Sequence, residues 1–363
     1  MWGMDYKVRW TLTSYPKDDD DCCTCHLATM QLVLPNVDED DIIYLSLRNN
    51  FLQTPFMIVA DRKLEKIVIS IRGSWSVTDM LTDMVASPVG LKSMLLENFH
   101  ENNGLELSAT ELTNLEQLSD DIKVHAGMAE AAIYVFKKIK EKHLLEQAKV
   151  HFPEYSIVVT GHSLGAGTAV ILGFFLRLNY SNVKCYAFGP PGGLLNSPAS
   201  TMSKQFVISI AVGDDIVPRL SVNSLLSLRS DMKKSLITCQ LPKHKVLATG
   251  FCNCLSPETW KDRLKNDPAV SSSNNPDLEQ FNNYGTVEDD DVGFENQTEM
   301  LPPGQIIHLK EQNETLSMCF REPKEFREIV ISTKMINDHA PSSYQKMLTK
   351  VITKFVSRNS IEV

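Results

Sequence analysis

The stretch VVTGHSLGAGTAVILGFFLR occupies residues 158–177 and decides how the rest of the chain is read. A β-branched run stops at Gly161-His162-Ser163-Leu164-Gly165, and a continuous apolar segment follows it. Gly-x-Ser-x-Gly between a strand and a helix is the pattern of a nucleophile elbow. A serine held in a strained turn needs small neighbours, so that the helix can return close to the strand. Its hydroxyl then stands proud of the sheet. The helix N-terminus leaves backbone N–H groups unpaired, and that of Leu164 can donate to a developing oxyanion. The plainer alternative is a tight glycine connection without chemistry. The strand before and the apolar helix after favour the elbow.

On either side the same alternation continues. PFMIVA and KIVISI read as strands around the turn DRKLE, and 74–86 has helical spacing through Val77, Met80, Leu81, Met84 and Val85. GMAEAAIYVFKKIKEKHLLEQAKVHFPEY reads as one long amphipathic helix ending near Pro153. VKCYAFG stops at PPGG, and QFVISIAVG stops at DDIVPRL. Strands alternating with helices predict an α/β-hydrolase fold, a mostly parallel central sheet flanked by helices. The polar, acidic stretch 239–300 predicts a mobile regulatory insertion before the last elements, and residues 1–41 an acidic extension of a domain covering 42–357. Regular structure is expected again at PPGQIIHLK, at FREIVIS, and in a closing helix drawn from TKMINDHAPSSYQKMLTKVITKF.

A serine hydroxyl needs a base, and the base an orienting acid, in the chain order Ser, Asp/Glu, His. Asp214 and Asp215 follow a strand; Asp215 is preferred because the adjacent IVP shields a carboxylate from water. His308 and His339 both follow the acid. His308 continues an apolar strand, whereas His339 lies in a loop entering a helix, where a ring can reach over the serine. His162 and His125 read as structural. A second oxyanion donor is expected after an early strand, at Arg72-Gly73-Ser74, with Ser74 as the donor. The helical stripe at 77–85 reads equally as a lid or as a buried helix face.

Composition narrows the classes. The 363 residues carry a net charge of −9, with acidic runs at 18–21, 38–41 and 288–291, which argues against a nucleic-acid partner. Among the eight cysteines only Cys22 and Cys25 stand at a Cys-x2-Cys spacing, without the second such pair of a zinc site, so no metal is expected. No run of 18 apolar residues reads as a membrane span, and the first residues lack the order of a signal peptide. The phosphate-binding pattern Gly-x-x-x-x-Gly-Lys-Ser/Thr is missing, against a nucleotide-binding reading of GHSLGAG.

IRGS, HAGM, GHSLGAGTA, FGPPGGLL, GDDIVPRL, PPGQIIH and NDHAPSSY occur in that order between residues 71 and 344. Together they resemble the class 3 lipases, and within them the sn-1-specific diacylglycerol lipases; the resemblance covers about residues 42–355. It implies Ser163 as nucleophile, Asp215 as acid, His339 as base and Ser74 in the oxyanion hole. It further implies a glycerolipid substrate, cleavage at the sn-1 ester to leave 2-monoacylglycerol (such as 2-arachidonoylglycerol), and work at a membrane surface with the catalytic domain facing the cytoplasm. No cofactor is needed for that chemistry, although the family's Ca2+ stimulation carries over as an expectation. Relatives usually place transmembrane helices before the domain, and this chain has no such segment. The rival readings are a triacylglycerol lipase or phospholipase A1, and a non-catalytic lipid-binding relative.

Overall fold

A computed structural model describes residues 41–47, 53–73, 87–100, 106–238, 298–312 and 315–359. The chain divides into two compact units, Met1–Leu225 with Thr298–Val363, and Leu226–Gln297. Of the second unit only the continuation of one helix, Val222–Thr238, is described, and its residues from 229 to 235 are exposed.

The first unit is built on an eight-stranded sheet. Its strands are β1 (Ile42–Ser46), β2 (Phe56–Asp61), β3 (Lys66–Ile71), β6 (Ser156–His162), β7 (Lys184–Phe188), β9 (Val207–Val212), β11 (Gln305–Gln312) and β12 (Thr315–Arg321), in that spatial order. β3, β6, β7, β9 and β11 run parallel, while β1, β2 and β12 are antiparallel to their neighbours. A small antiparallel sheet joins β4 (Pro88–Gly90), β5 (Lys123–His125), β8 (Leu195–Asn196) and β10 (Met300–Leu301). The segment expected as an insertion up to residue 300 therefore already belongs to a sheet at Met300, which pairs with Asn196.

The helices of this unit are α1 (Leu91–His100), α2 (Ala109–Glu116), α3 (Ala126–Glu141), α4 (Leu144–His151), α5 (Leu164–Leu176), α6 (Ser197–Ser203) and, after Val222–Thr238 as α7, α8 (Pro341–Asn359). α5 is buried at every position from Gly165 to Leu176, which is why its sequence is apolar all round rather than striped. Phe136 of α3 packs on Phe175 of α5, with ring centroids 5.6 Å apart. The odd-numbered residues of β3 and β7, Ile67, Ile69, Ile71, Cys185 and Ala187, join this core. On the opposite face Ile210, Val212 and Leu309 pack on Tyr344, Met347, Leu348 and Val351 of α8. Helices thus cover both faces of a mostly parallel sheet, as expected.

Three local expectations are corrected. The long helix is two helices, because His143 adopts a left-handed conformation (φ 49°, ψ 38°) that redirects the chain and lets Leu144 and Leu145 both bury. Counting apolar positions does not register one left-handed residue. The closing helix begins only at Pro341; proline favours an extended Ala340 (φ −61°, ψ 138°) and suits the first helical turn. FREIVIS is no strand. After a short 3-10 turn, Pro323–Phe326, the chain runs irregularly, with Val330 and Ile331 exposed rather than paired.

Candidate active site

The elbow begins with a backbone constraint. Ser163 has φ 59° and ψ −129°, a conformation that non-glycine residues rarely adopt, held where β6 turns into α5. Its N–H donates to the Phe188 carbonyl of β7 at 2.9 Å, and its own carbonyl accepts from Ala166 and Gly167. The flanking glycines are sterically required. A methyl group on Gly161 would meet the Gly165 carbonyl oxygen at 2.4 Å, and one on Gly165 would meet the carbonyls of Ile71 and Arg72 at 2.6 and 2.7 Å. That second contact also brings the end of β3, and the turn beginning at Arg72, against the elbow. Leu164 is the first residue of α5, so its N–H has no partner one helical turn earlier. Ser74 and the helical stripe at 77–85 lie outside the described residues.

Asp215 follows the turn at the end of β9 and is 2% exposed. Its Oδ1 accepts from the Val217 N–H at 2.9 Å, while Oδ2 accepts from the Tyr344 hydroxyl at 2.5 Å and from His339 Nδ1 at 2.9 Å. His339 closes a 3-10 turn, Asn337–His339, just before Pro341, and its Nε2 lies 2.8 Å from Ser163 Oγ. Ser163, His339 and Asp215, 176 and 124 residues apart along the chain, form one hydrogen-bonded line. With the Asp215 carboxylate accepting at Nδ1, Nε2 is the nitrogen left to accept the serine proton.

The competing residues have other partners. The Asp214 N–H donates to Asp338 Oδ2 at 2.8 Å, and its carboxylate faces Lys310 Nζ at 3.7 Å. His308 is buried on β11, where its Nε2 donates to the Gly213 carbonyl at 2.7 Å and its ring lies against Phe326. Burial pushes the His308 pKa down, so the ring braces the acid's turn as a neutral donor. His162 does more than space the elbow. Its Nε2 donates to the His339 carbonyl at 2.9 Å, and the two rings lie 4.7 Å apart. Burial first, and the nearby His339 second, push its pKa down to about 4. His125 caps α3, its Nδ1 accepting from the Met128 N–H at 3.4 Å.

Two participants were missed in the sequence. Tyr344, 3% exposed in the first turns of α8, ties the helix that follows the base directly to the acid. Burial, and then the Asp215 charge, raise its pKa well above the phenol value, so it stays a donor. Arg219, 8% exposed, donates to the Glu325 and Glu328 carbonyls at 3.5 and 3.2 Å and lies over Phe326. It pins the segment before His339 to the turn after Asp215. Both lie inside motifs that carry the resemblance, GDDIVPRL and NDHAPSSY, but a tyrosine in a helix and an arginine after proline read as ordinary there.

Among the described residues no group of three or more His, Cys, Asp or Glu is assembled to hold a metal ion. Asp41, the end of one acidic run, pairs with Arg62 at 2.5 Å. No described helix is long and apolar enough to cross a membrane.

The profile of the family described as Lipase (class 3) matches residues 68–225. Human diacylglycerol lipase-alpha is 30% identical over 357 residues, covering 93% of this chain and 31% of its own length. Mouse diacylglycerol lipase-beta is 30% identical over 358 residues, covering 93% of this chain and 50% of its own. The secreted mono- and diacylglycerol lipase 1 of Fusarium solani is 28% identical over 165 residues, covering 45% of this chain and 41% of its own. The chain therefore spans only 31% to 50% of the length of the relatives it matches over nearly all of its own residues.

Proposed function

From the premise that this chain belongs to the class 3 lipase family, we propose that it is a carboxylic ester hydrolase acting on diacylglycerol through a Ser163-His339-Asp215 triad. The observation carrying this reading is the continuous line from Ser163 Oγ to His339 Nε2 at 2.8 Å and from His339 Nδ1 to Asp215 at 2.9 Å, at a strained strand-to-helix turn.

In the proposed reaction His339 takes the Ser163 proton as Oγ attacks the ester carbonyl. Asp215 holds the ring in orientation and stabilises the imidazolium that forms. The backbone N–H of Leu164, at the positive end of α5, and Ser74 donate to the oxyanion; each such donor is worth ~3 kcal/mol in the transition state. The tetrahedral intermediate collapses with the alkoxide leaving group taking the proton from His339, which leaves an acyl-Ser163. Water, deprotonated by the same imidazole, then releases the fatty acid. The chain's own residues supply every step, and none runs through calcium.

The finer reading is cleavage at sn-1, leaving 2-monoacylglycerol, at the cytoplasmic surface of a membrane where diacylglycerol resides. It draws support from the names of the relatives and from the motifs of the diacylglycerol branch.

The deciding experiment measures fatty acid released from sn-1-labelled diacylglycerol in detergent micelles by wild type and Ser163→Ala. Serine-dependent release of the labelled chain is expected, with a loss of at least about 10^4-fold in the variant. Release of the sn-2 chain instead would overturn the positional reading. Labelling of Ser163 by a fluorophosphonate without any diacylglycerol hydrolysis would leave the triad standing and assign it another ester. Neither labelling nor hydrolysis would favour a non-catalytic lipid-binding protein.

A further inference from the structure

Large apolar side chains on the described surface are unevenly distributed. Ten are exposed, and six of them, Met318, Phe320, Val330, Ile331, Ile336 and Ile352, fall within the last strand, the loop before His339 and α8. The loop is the unusual part. Glu328-Ile329-Val330-Ile331-Ser332 has the composition of a buried strand, yet Ile331 is 67% and Ile336 49% exposed. Only Ile329 turns inward, against the cluster of Val217 and Leu220 that follows Asp215. The loop is held at the site's edge by its backbone: the Ile216 N–H donates to the Met335 carbonyl at 3.3 Å and the His339 N–H to the Ile336 carbonyl at 3.2 Å. Its apolar side chains thus stand outward a few residues from the base.

Lysines stand close to the loop. Lys350 Nζ bonds both oxygens of Glu311 at 2.6 and 2.7 Å, at the end of β11 nearest the acid's turn. The bond from Lys350 lowers the Glu311 pKa most, and the fields of Lys350, Lys346 and Lys334 lower it further. Lys310, the next residue of β11, faces Asp214. Lys310, Lys334, Lys346 and Lys350 gather at this corner, interleaved with Asp214, Glu311, Glu328 and Asp338. Exposed isoleucines beside lysines that can extend their ammonium groups to headgroup level make a surface suited to a bilayer with anionic lipid.

We propose that the 329–336 loop and the adjoining lysines of β11 and α8 form the membrane-docking face, with Val330, Ile331 and Ile336 entering the bilayer and Lys334, Lys346 and Lys350 meeting anionic headgroups. This rests on the reading of a membrane-resident diacylglycerol as substrate and adds where the bilayer is met. Docked so, His339 lies beside the lipid surface and the substrate reaches Ser163 laterally, without crossing water. A second copy is a poorer occupant. A two-fold contact centred on this corner would bring Lys334, Lys346 and Lys350 of each copy toward their equivalents.

The test is flotation of the full chain with vesicles of phosphatidylcholine, with and without phosphatidylserine, beside hydrolysis of a water-soluble short-chain ester. Val330→Ser/Ile331→Ser is expected to weaken binding to both vesicles by about ten-fold or more. Lys334→Gln/Lys346→Gln is expected to weaken binding about thirty-fold only where phosphatidylserine is present, an effect that salt erases. Both variants keep soluble-ester hydrolysis, which separates docking from catalysis. Vesicle binding equal to wild type in both variants overturns the proposal. So does a wild-type dimer that Val330→Ser/Ile331→Ser dissociates while vesicle binding persists, which would give the face to a second copy. A wild type that floats through these residues but hydrolyses neither ester would sink the lipase reading and leave the docking face standing.

Discussion

The elbow at 156–176 and the base-bearing segment at 327–344 meet at one hydrogen bond, yet they are built in opposite ways. In the elbow, everything that shapes Ser163 lies within a few residues: a strand, two glycines that nothing larger can replace, and a helix that buries every side chain from Gly165 to Leu176. The second region has almost no regular structure until Pro341. Its geometry comes from remote partners: Arg219 on the Glu325 and Glu328 carbonyls, Ile216 on Met335, Asp214 on Asp338, His162 on the His339 carbonyl, and Tyr344 on Asp215. Ser163 is held by local backbone geometry, whereas His339, which reaches it from 176 residues away, is positioned by the tertiary contacts around it.

The sharpest way to separate the two regions is Asp215→Asn. The amide can present N–H to Nδ1, favouring the wrong tautomer, and it gives the imidazolium no counter-charge, so kcat is expected to fall by ~10^4-fold while the melting temperature moves little. An effect under about ten-fold would mean that the acid is elsewhere. Gly161→Ala attacks the local side of the comparison. The added methyl meets backbone at 2.4 Å, and a loss of about 3 kcal/mol or more is expected in denaturant unfolding. If stability and activity both survive, the close approach is not the constraint argued here.

His162 links the regions through pH. Its pKa of about 4 in the folded chain lies below the ordinary 6.5, so the unfolded chain binds the proton first as pH falls. Its contribution to stability is complete above pH 6.5 and is lost progressively down to about pH 4, by up to roughly 3 kcal/mol. His162→Gln should flatten that part of the stability profile; an unchanged slope would assign it to other groups. Tyr344→Phe probes the most distant fastening with the smallest change. Loss of the hydroxyl bond to Asp215 is expected to lower kcat about ten-fold with KM and the melting temperature held. A purely structural tyrosine would move the melting temperature and leave kcat alone.

What could be read without coordinates follows the same division. The strand-turn-helix around Ser163 was legible because its rules are local: β-branched residues before, small residues where backbones touch, apolar residues where a helix is buried all round. Asp215 was legible for a similar reason, since a carboxylate at a strand end beside IVP has few alternative roles. His339 was distinguished from His308 only by its position before a helix. The structure supplies the physical difference, because His308 is committed to the Gly213 carbonyl while His339 stands between Ser163 and Asp215. The run at 329–331, with Val330 and Ile331 exposed, misled because β-propensity records a residue's fit to a pleated surface, and no described strand lies beside it to provide one.

The amino-acid sequence by itself determined the α/β alternation, the elbow and the order of serine, acid and histidine, since each depends on backbone sterics and apolar periodicity over a few consecutive residues. Only the tertiary structure decided that Tyr344 holds Asp215, that His162 holds the His339 carbonyl, that Arg219 anchors the loop before it, and that this loop turns Val330, Ile331 and Ile336 outward. Those outcomes depend on which polar groups are brought within hydrogen-bond reach when the sheet and α8 close on one another, and separation along the chain carries no record of that.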